Sequence, residues 1–161
     1  MNIKNLLIWL CLLTFSTVFA APSEEETLCA PHEDIYFSCH EGRKIISVCA
    51  SGNISPVNGY VQYRIGRPNA IEMEYPDMPN SPKEHFYLSN ISGGNLNFTH
   101  LKFTSSKYNY VVFAGDVSGV YVKKDGKTLA NLRCEAGDYR RFSPKMSRGI
   151  KTVDPEDGID N

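Results

Sequence analysis

The sequence predicts an all-β fold, a small antiparallel β-barrel or sandwich built from hairpins, carrying disulfides and ending in an irregular C-terminal tail. Three observations predict it. About eight short β-prone runs follow one another at regular spacing, separated by turn residues. Apolar positions show no helical period longer than about two turns. Four cysteines lie downstream of an export signal, which places the chain where disulfides persist.

The N-terminus carries Lys4, an apolar run over residues 6–15 and then Val18-Phe19-Ala20, the small-residue pattern that a signal peptidase reads. Residues 1–20 are therefore expected to be a signal peptide, cleaved after Ala20. The run falls short of the roughly 20 apolar residues that span a bilayer, and Glu24-Glu25-Glu26 follows in place of a stop-transfer pattern. No membrane span is expected. A lipid on Cys11 is disfavoured because Ile8-Trp9-Leu10 lacks the small residues that such a site needs. The expected location is periplasmic or secreted.

Residues 21–34 read as an irregular acidic arm with Pro22 and Pro31, tied down by Cys29. Residues 35–135 form the β domain. Residues 35–39 and 44–50 make the first hairpin around Glu41-Gly42. Residues 59–66 alternate, with Val61, Tyr63 and Ile65 on one face and Tyr60, Gln62 and Arg64 on the other, as a half-buried strand does. Arg67-Pro68-Asn69 turns this strand into residues 71–75, and Pro76, Pro79 and Pro82 make residues 76–85 a loop. Ser92-Gly93-Gly94 reads as a loop tip. Leu96 and Phe98 share one parity while Leu101 and Phe103 share the other, which predicts a bulge near Thr99-His100. Residues 108–114 are the most β-prone run. Residues 118–123 and 127–134 flank Lys124-Asp125-Gly126, the clearest hairpin signal in the chain. Residues 136–161 are a polar tail whose last dozen residues are expected to be disordered.

Cys29, Cys39, Cys49 and Cys134 allow three pairings. With a two-residue turn in the first hairpin, Cys39 and Cys49 fall on opposite faces, so a bridge between them is awkward. Either Cys39 or Cys49 is then expected to close the long loop to Cys134, with Cys29 taking the other.

Formal net charge is −1, and becomes −2 once Lys4 leaves, with both signs interspersed. That balance gives no footprint for nucleic acid, whose binding rests on phosphate neutralisation. Motifs for chemistry are missing their partners. His32-Glu33 and His40-Glu41 have no second histidine four residues after the first, so no metal site is expected. Covalent haem would need a cysteine where Tyr36 stands. No serine lies in a Gly-x-Ser-x-Gly elbow or three residues before a lysine. Glu72 and Glu74 could face one side of a strand as a carboxylate pair, yet alternate glutamates on a solvated face are far commoner. No cofactor and no catalytic residue is expected, and the chain is read as a non-enzyme. Asn53-Ile54-Ser55, Asn90-Ile91-Ser92 and Asn97-Phe98-Thr99 match the N-glycosylation acceptor, which matters only in a eukaryotic source.

What remains is a mixture of aromatic and basic groups typical of protein-recognition surfaces. Tyr60 and Arg64 on the third strand, with Ser118, Tyr121 and Lys123 on the last hairpin, are the partner-binding candidates.

The signal peptide, the compact β domain and the late Cys134 after the hairpin over residues 120–134 resemble the small Gram-negative envelope proteins that inhibit lysozymes. Ser118-Gly119-Val120-Tyr121 stands one residue short of the Ser-Gly-x-x-Tyr motif that such inhibitors insert into the enzyme cleft. Periplasmic immunity proteins against cell-wall-degrading toxins are similar in size, compartment and disulfides. The resemblance implies a protein-binding module acting on a secreted hydrolase or toxin. An envelope structural or assembly factor without catalytic activity is the alternative.

Overall fold

The computed structural model describes residues 26–94, 96–136 and 141–161, without the side chain of Leu96. The expected signal peptide and the first residues of the acidic arm lie outside the described residues. The strands are β1 (Asp34–Glu41), β2 (Lys44–Ala50), β3 (Val61–Arg67), β4 (Ala70–Tyr75), β5 (Tyr87–Gly93), β6 (Leu96–Ser105), β7 (Tyr108–Ala114), β8 (Ser118–Lys124), β9 (Lys127–Arg133) and β10 (Lys151–Thr152). They form two separate sheets, β1-β2-β3-β4 and β10-β5-β6-β7-β8-β9, so the fold is sandwich-like and no barrel closes. Every pairing is antiparallel except β10 on β5.

Alternation places one face of each sheet in a shared core. Phe37, Cys39, Ile46, Val48, Val61 and Tyr63 of the first sheet are buried with Leu88, Leu101, Phe103, Val112 and Val120 of the second. Phe103 is the centre of an aromatic cluster, with Tyr63, Tyr75, Phe86 and Tyr110 at 5.0, 4.5, 5.5 and 4.9 Å between ring centroids. Such ring pairs each contribute roughly 0.5–1.5 kcal/mol beyond their buried area.

The first hairpin turns at Gly42-Arg43, one position later than Glu41-Gly42, because Glu41 pairs with Lys44. Gly42 supplies the positive φ of +59° that a tight hairpin turn demands. The turn keeps two residues, so the face assignment survives: Cys39 opposes Ile46 in the core, whereas Cys49 opposes Ile35. The disulfides are Cys29–Cys49 and Cys39–Cys134. In the second hairpin the register shifts between Ile65 and Gly66. Gly66 has φ of +149°, and a Cβ there would lie 2.5 Å from the Ala70 carbonyl oxygen, so this bulge requires glycine.

Three expectations are corrected. No bulge interrupts β6, whose register runs unbroken from Leu96 to Ser105. Its apolar residues occupy both parities because they serve two different faces: Leu101 and Phe103 meet the first sheet in the core, while Phe98 lies half-buried on the outer face with His100 and Lys102. Residues 87–93, left without a strand by the sequence reading, form β5. Finally, the last dozen residues hold a defined place. Ser143 caps a short 3-10 turn (Pro144–Arg148), Met146 and Ile150 are buried, and Val153 N donates to Leu88 O beyond β10. Residues 153–161 then run over the outer face of the second sheet, ending with Asp160 buried at 7% exposure.

Candidate functional site: a strapped cleft on the second sheet

Each sheet carries a buried ionic network on its outer face, and each network pins one terminal segment of the chain. On the first sheet Arg64 of β3 donates from Nη1 to Glu33 Oε2 (2.6 Å) and Leu28 O (3.1 Å). Its Nη2 donates to Glu33 Oε1 (3.0 Å) and Gln62 Oε1 (2.7 Å), and its Nε to Glu74 Oε1 (2.7 Å). These five bonds account for every guanidinium N–H. Glu33 also accepts from Ala30 N and the Tyr60 hydroxyl. Burial alone would raise the Glu33 pKa, but Arg64, Ala30 N–H and Tyr60 together hold it below its ordinary value. Arg64 thus binds the N-terminal arm to the sheet, which corrects its expected role at a partner surface. Tyr60, partly exposed, serves the same network. Glu74 is committed to Arg64 and Glu72 to Lys44, so the carboxylate pair has a structural use.

On the second sheet the alternation of β5, β6 and β8 aims Ser89, His100, Lys102, Tyr121 and Lys123 outward beneath the C-terminal strap. Asp160 Oδ1 accepts from Ser89 Oγ (2.8 Å) and His100 Nδ1 (2.7 Å), and Oδ2 from Lys102 Nζ (2.6 Å) and Glu156 N (2.7 Å). Burial opposes ionisation, yet these four donors bring the Asp160 pKa down to about 2. His100 is lowered, first by burial and further by Lys102 and Lys123, against the opposing pull of Asp160. Tyr121 donates to Ile159 O at 2.9 Å, and burial raises its pKa. Lys123 donates to Asn161 O and lies 5.3 Å from the Tyr121 ring centroid.

Tyr121 and Lys123 are therefore brought together, but Lys123 is 5% exposed and holds the strap. Ser118 departs further from its expected role at a partner surface. It points inward, is 1% exposed, and its hydroxyl has no hydrogen-bond partner among the described residues.

Beside the strap, the remainder of the same face opens into a cleft of about 340 Å3 lined by Ile91, Phe98, Phe113, Tyr121, Asn131 and Arg133 among others. Phe113 lies 6.3 Å from Phe98 and 5.8 Å from Tyr121. Gly119 makes room for it: a Cβ there would stand 3.0 Å from Phe113 Cζ and 2.1 Å from the Leu132 carbonyl oxygen. Val117, 44% exposed, extends the apolar lining, while Arg133 stands exposed at the rim without an ion pair among the described residues. The sequence reading missed Phe98, Phe113 and Arg133. The signal was their common parity across paired strands, legible only once the register is known.

Ser89 is fully buried and both Asp160 oxygens are filled, so the Ser89, His100 and Asp160 group orders the strap and presents no nucleophile to the cleft. Cys29, Glu33 and Cys49 form a compact group of metal-ligating residue types, but both thiols are spent in a disulfide and the carboxylate is bound by Arg64. The chain matches no protein family, no curated protein and no solved structure.

Proposed function

We propose that the chain is an exported, non-catalytic protein-binding module that engages its partner through the cleft on the second sheet. A single observation carries this reading: half-buried Phe98 and Tyr121, backed by buried Phe113, line a cleft beside an exposed rim arginine, on a face whose buried polar groups Ser89, His100, Lys102, Lys123 and Asp160 are paired internally. Aromatic side chains and arginine dominate interface energetics because they bury large areas and make directional contacts at modest entropic cost. Two disulfides and two pinned terminal segments pre-organise the face, which reduces the ordering cost of association. The export signal and the lysozyme-inhibitor resemblance favour a periplasmic or secreted hydrolase or toxin as the partner, neutralised by occlusion.

The test pairs capture with inhibition. The oxidised chain is immobilised and exposed to the extracytoplasmic proteins of its source, beside an Arg133→Glu variant. A one-to-one complex with a hydrolase or toxin, inhibition of that enzyme, and loss of both in the variant are expected. Capture unaffected by Arg133→Glu, or recovery of resident envelope components alone, would move the role to a structural or assembly factor.

A further inference from the structure

The four sheet edges differ in how they are closed. β10 covers β5. β1 receives Glu135 N on His40 O and Ser143 N on Tyr36 O. β4 is open but acidic, and its Glu72 and Glu74 are already neutralised by Lys44 and Arg64. The seven residues of β9 remain, with Lys127, Thr128, Leu129, Asn131 and Arg133 exposed, Leu129 at 58%. Because Cys134 N donates to Ser118 O, the alternation of the antiparallel ladder turns Leu132 and Ala130 toward β8. Asn131 and Arg133 consequently present their N–H and C=O groups outward.

Charge is concentrated at the same edge. Residues 118–133 contain Lys123, Lys124, Lys127 and Arg133 against Asp125 alone, a net +3 in a chain whose total is −1. Lys123 is committed to Asn161, whereas Lys124, Lys127 and Arg133 have no ion pair among the described residues. Lysines on an open edge commonly guard against self-pairing. Here they also flank an exposed leucine, and the sheet row ending in Arg133 runs through Gly119 to Phe113 in the cleft.

Resting on the protein-binding reading above, we propose that an extended acidic segment of the partner adds to β9 as a seventh strand of the second sheet. Its main chain pairs with the outward N–H and C=O groups of Asn131 and Arg133, its carboxylates with Lys127 and Arg133, and an apolar residue covers Leu129. Main-chain bonds supply affinity in such strand addition, and alternate side chains supply selectivity.

Amide hydrogen exchange on the oxidised chain tests this, with an octapeptide of alternating Glu and Val at millimolar concentration and a Lys-for-Glu peptide as control. The acidic peptide should slow exchange at Asn131 and Arg133 about tenfold, and the control should not. Asn131→Pro removes one outward N–H and leaves the β8 ladder intact, so it should abolish the effect. Arg133→Glu, an exposed change, should weaken the acidic peptide and admit the basic one. No protection on β9, equal protection by both peptides, or protection that rises with protein concentration alone would overturn the proposal, the last by assigning the edge to a second copy. If capture of the natural partner survives Asn131→Pro but is lost in Arg133→Glu, strand addition falls and the cleft reading stands.

Discussion

Replacing Asp160 with asparagine keeps the shape of the side chain and removes the charge on which the C-terminal strap depends. The carboxylate is 2% exposed and accepts four hydrogen bonds, two of them from the buried Lys102 and His100 side chains. Its pKa falls from 3.8 to about 2, which corresponds to about 2 kcal/mol of stability at neutral pH. The substitution also strands Lys102 under the strap without its counter-charge, and breaking a buried pair from one side costs roughly 3–5 kcal/mol. Asp160→Asn should therefore lose about 3 kcal/mol in urea unfolding at pH 7. The pH dependence has a definite sign. Because the folded pKa is depressed, the contribution is fully present above the unfolded value near 4 and is lost as pH falls toward about 2. The wild type should lose stability through that window, and the variant should lack this part of the slope. The lowered pKa of His100 adds a further loss as pH drops below the ordinary histidine range. A second variant, Asp160→Asn with Lys102→Met, should recover part of the loss, since it removes the stranded cation. Unfolding of Asp160→Asn within about 0.5 kcal/mol of wild type would refute the reasoning, because surface substitutions fall in that range.

Four further outcomes follow from the same structure. Arg64→Met should cost roughly 3–5 kcal/mol by leaving Glu33 buried without its cation, and adding Glu33→Leu should return most of it, measured as a double-mutant cycle. Gly119→Ala should destabilise by about 1–3 kcal/mol, since its methyl meets the Leu132 carbonyl and spreads the β8–β9 ladder; an unchanged urea midpoint would contradict this. Ser118→Ala should be neutral or stabilising in a thermal melt and leave partner binding intact, because the hydroxyl is buried without a partner among the described residues. Replacing Cys39 and Cys134 by serine should cost about 1 kcal/mol more than replacing Cys29 and Cys49, as the two bridges close separations of 95 and 20 residues.

The hairpins were legible in the sequence because turn chemistry and alternation act locally. Asp125-Gly126 marked its turn directly, and in the first hairpin the turn moved by one residue without changing its length. That is why the disulfide argument, which depends on parity alone, held. The sequence was silent where burial is achieved by polar pairing. Ser89, Lys102 and Asp160 look like surface residues, and only their mutual satisfaction across the β5–β6 register makes the tail part of the fold. The same cause misdirected the site reading. Arg64 and Lys123 carry the composition of a recognition surface, but their charges are spent on the chain's own terminal segments. The phase change in β6 needs no bulge, because apolar residues on its two parities serve different faces. Leu101 and Phe103 enter the core, whereas Phe98 lines the outer cleft.

The most direct test of a recognition face on the second sheet is position-resolved photo-crosslinking, with a photoreactive residue at Asn131 at the cleft rim or at Arg43 on the first hairpin. Both positions are exposed, and the oxidised chain is presented with the extracytoplasmic proteins of its source. A discrete crosslinked partner from position 131, absent from position 43 and lost on Arg133→Glu, is the predicted result. Equal crosslinking from both positions, or none from 131 while 43 captures a partner, would contradict the account.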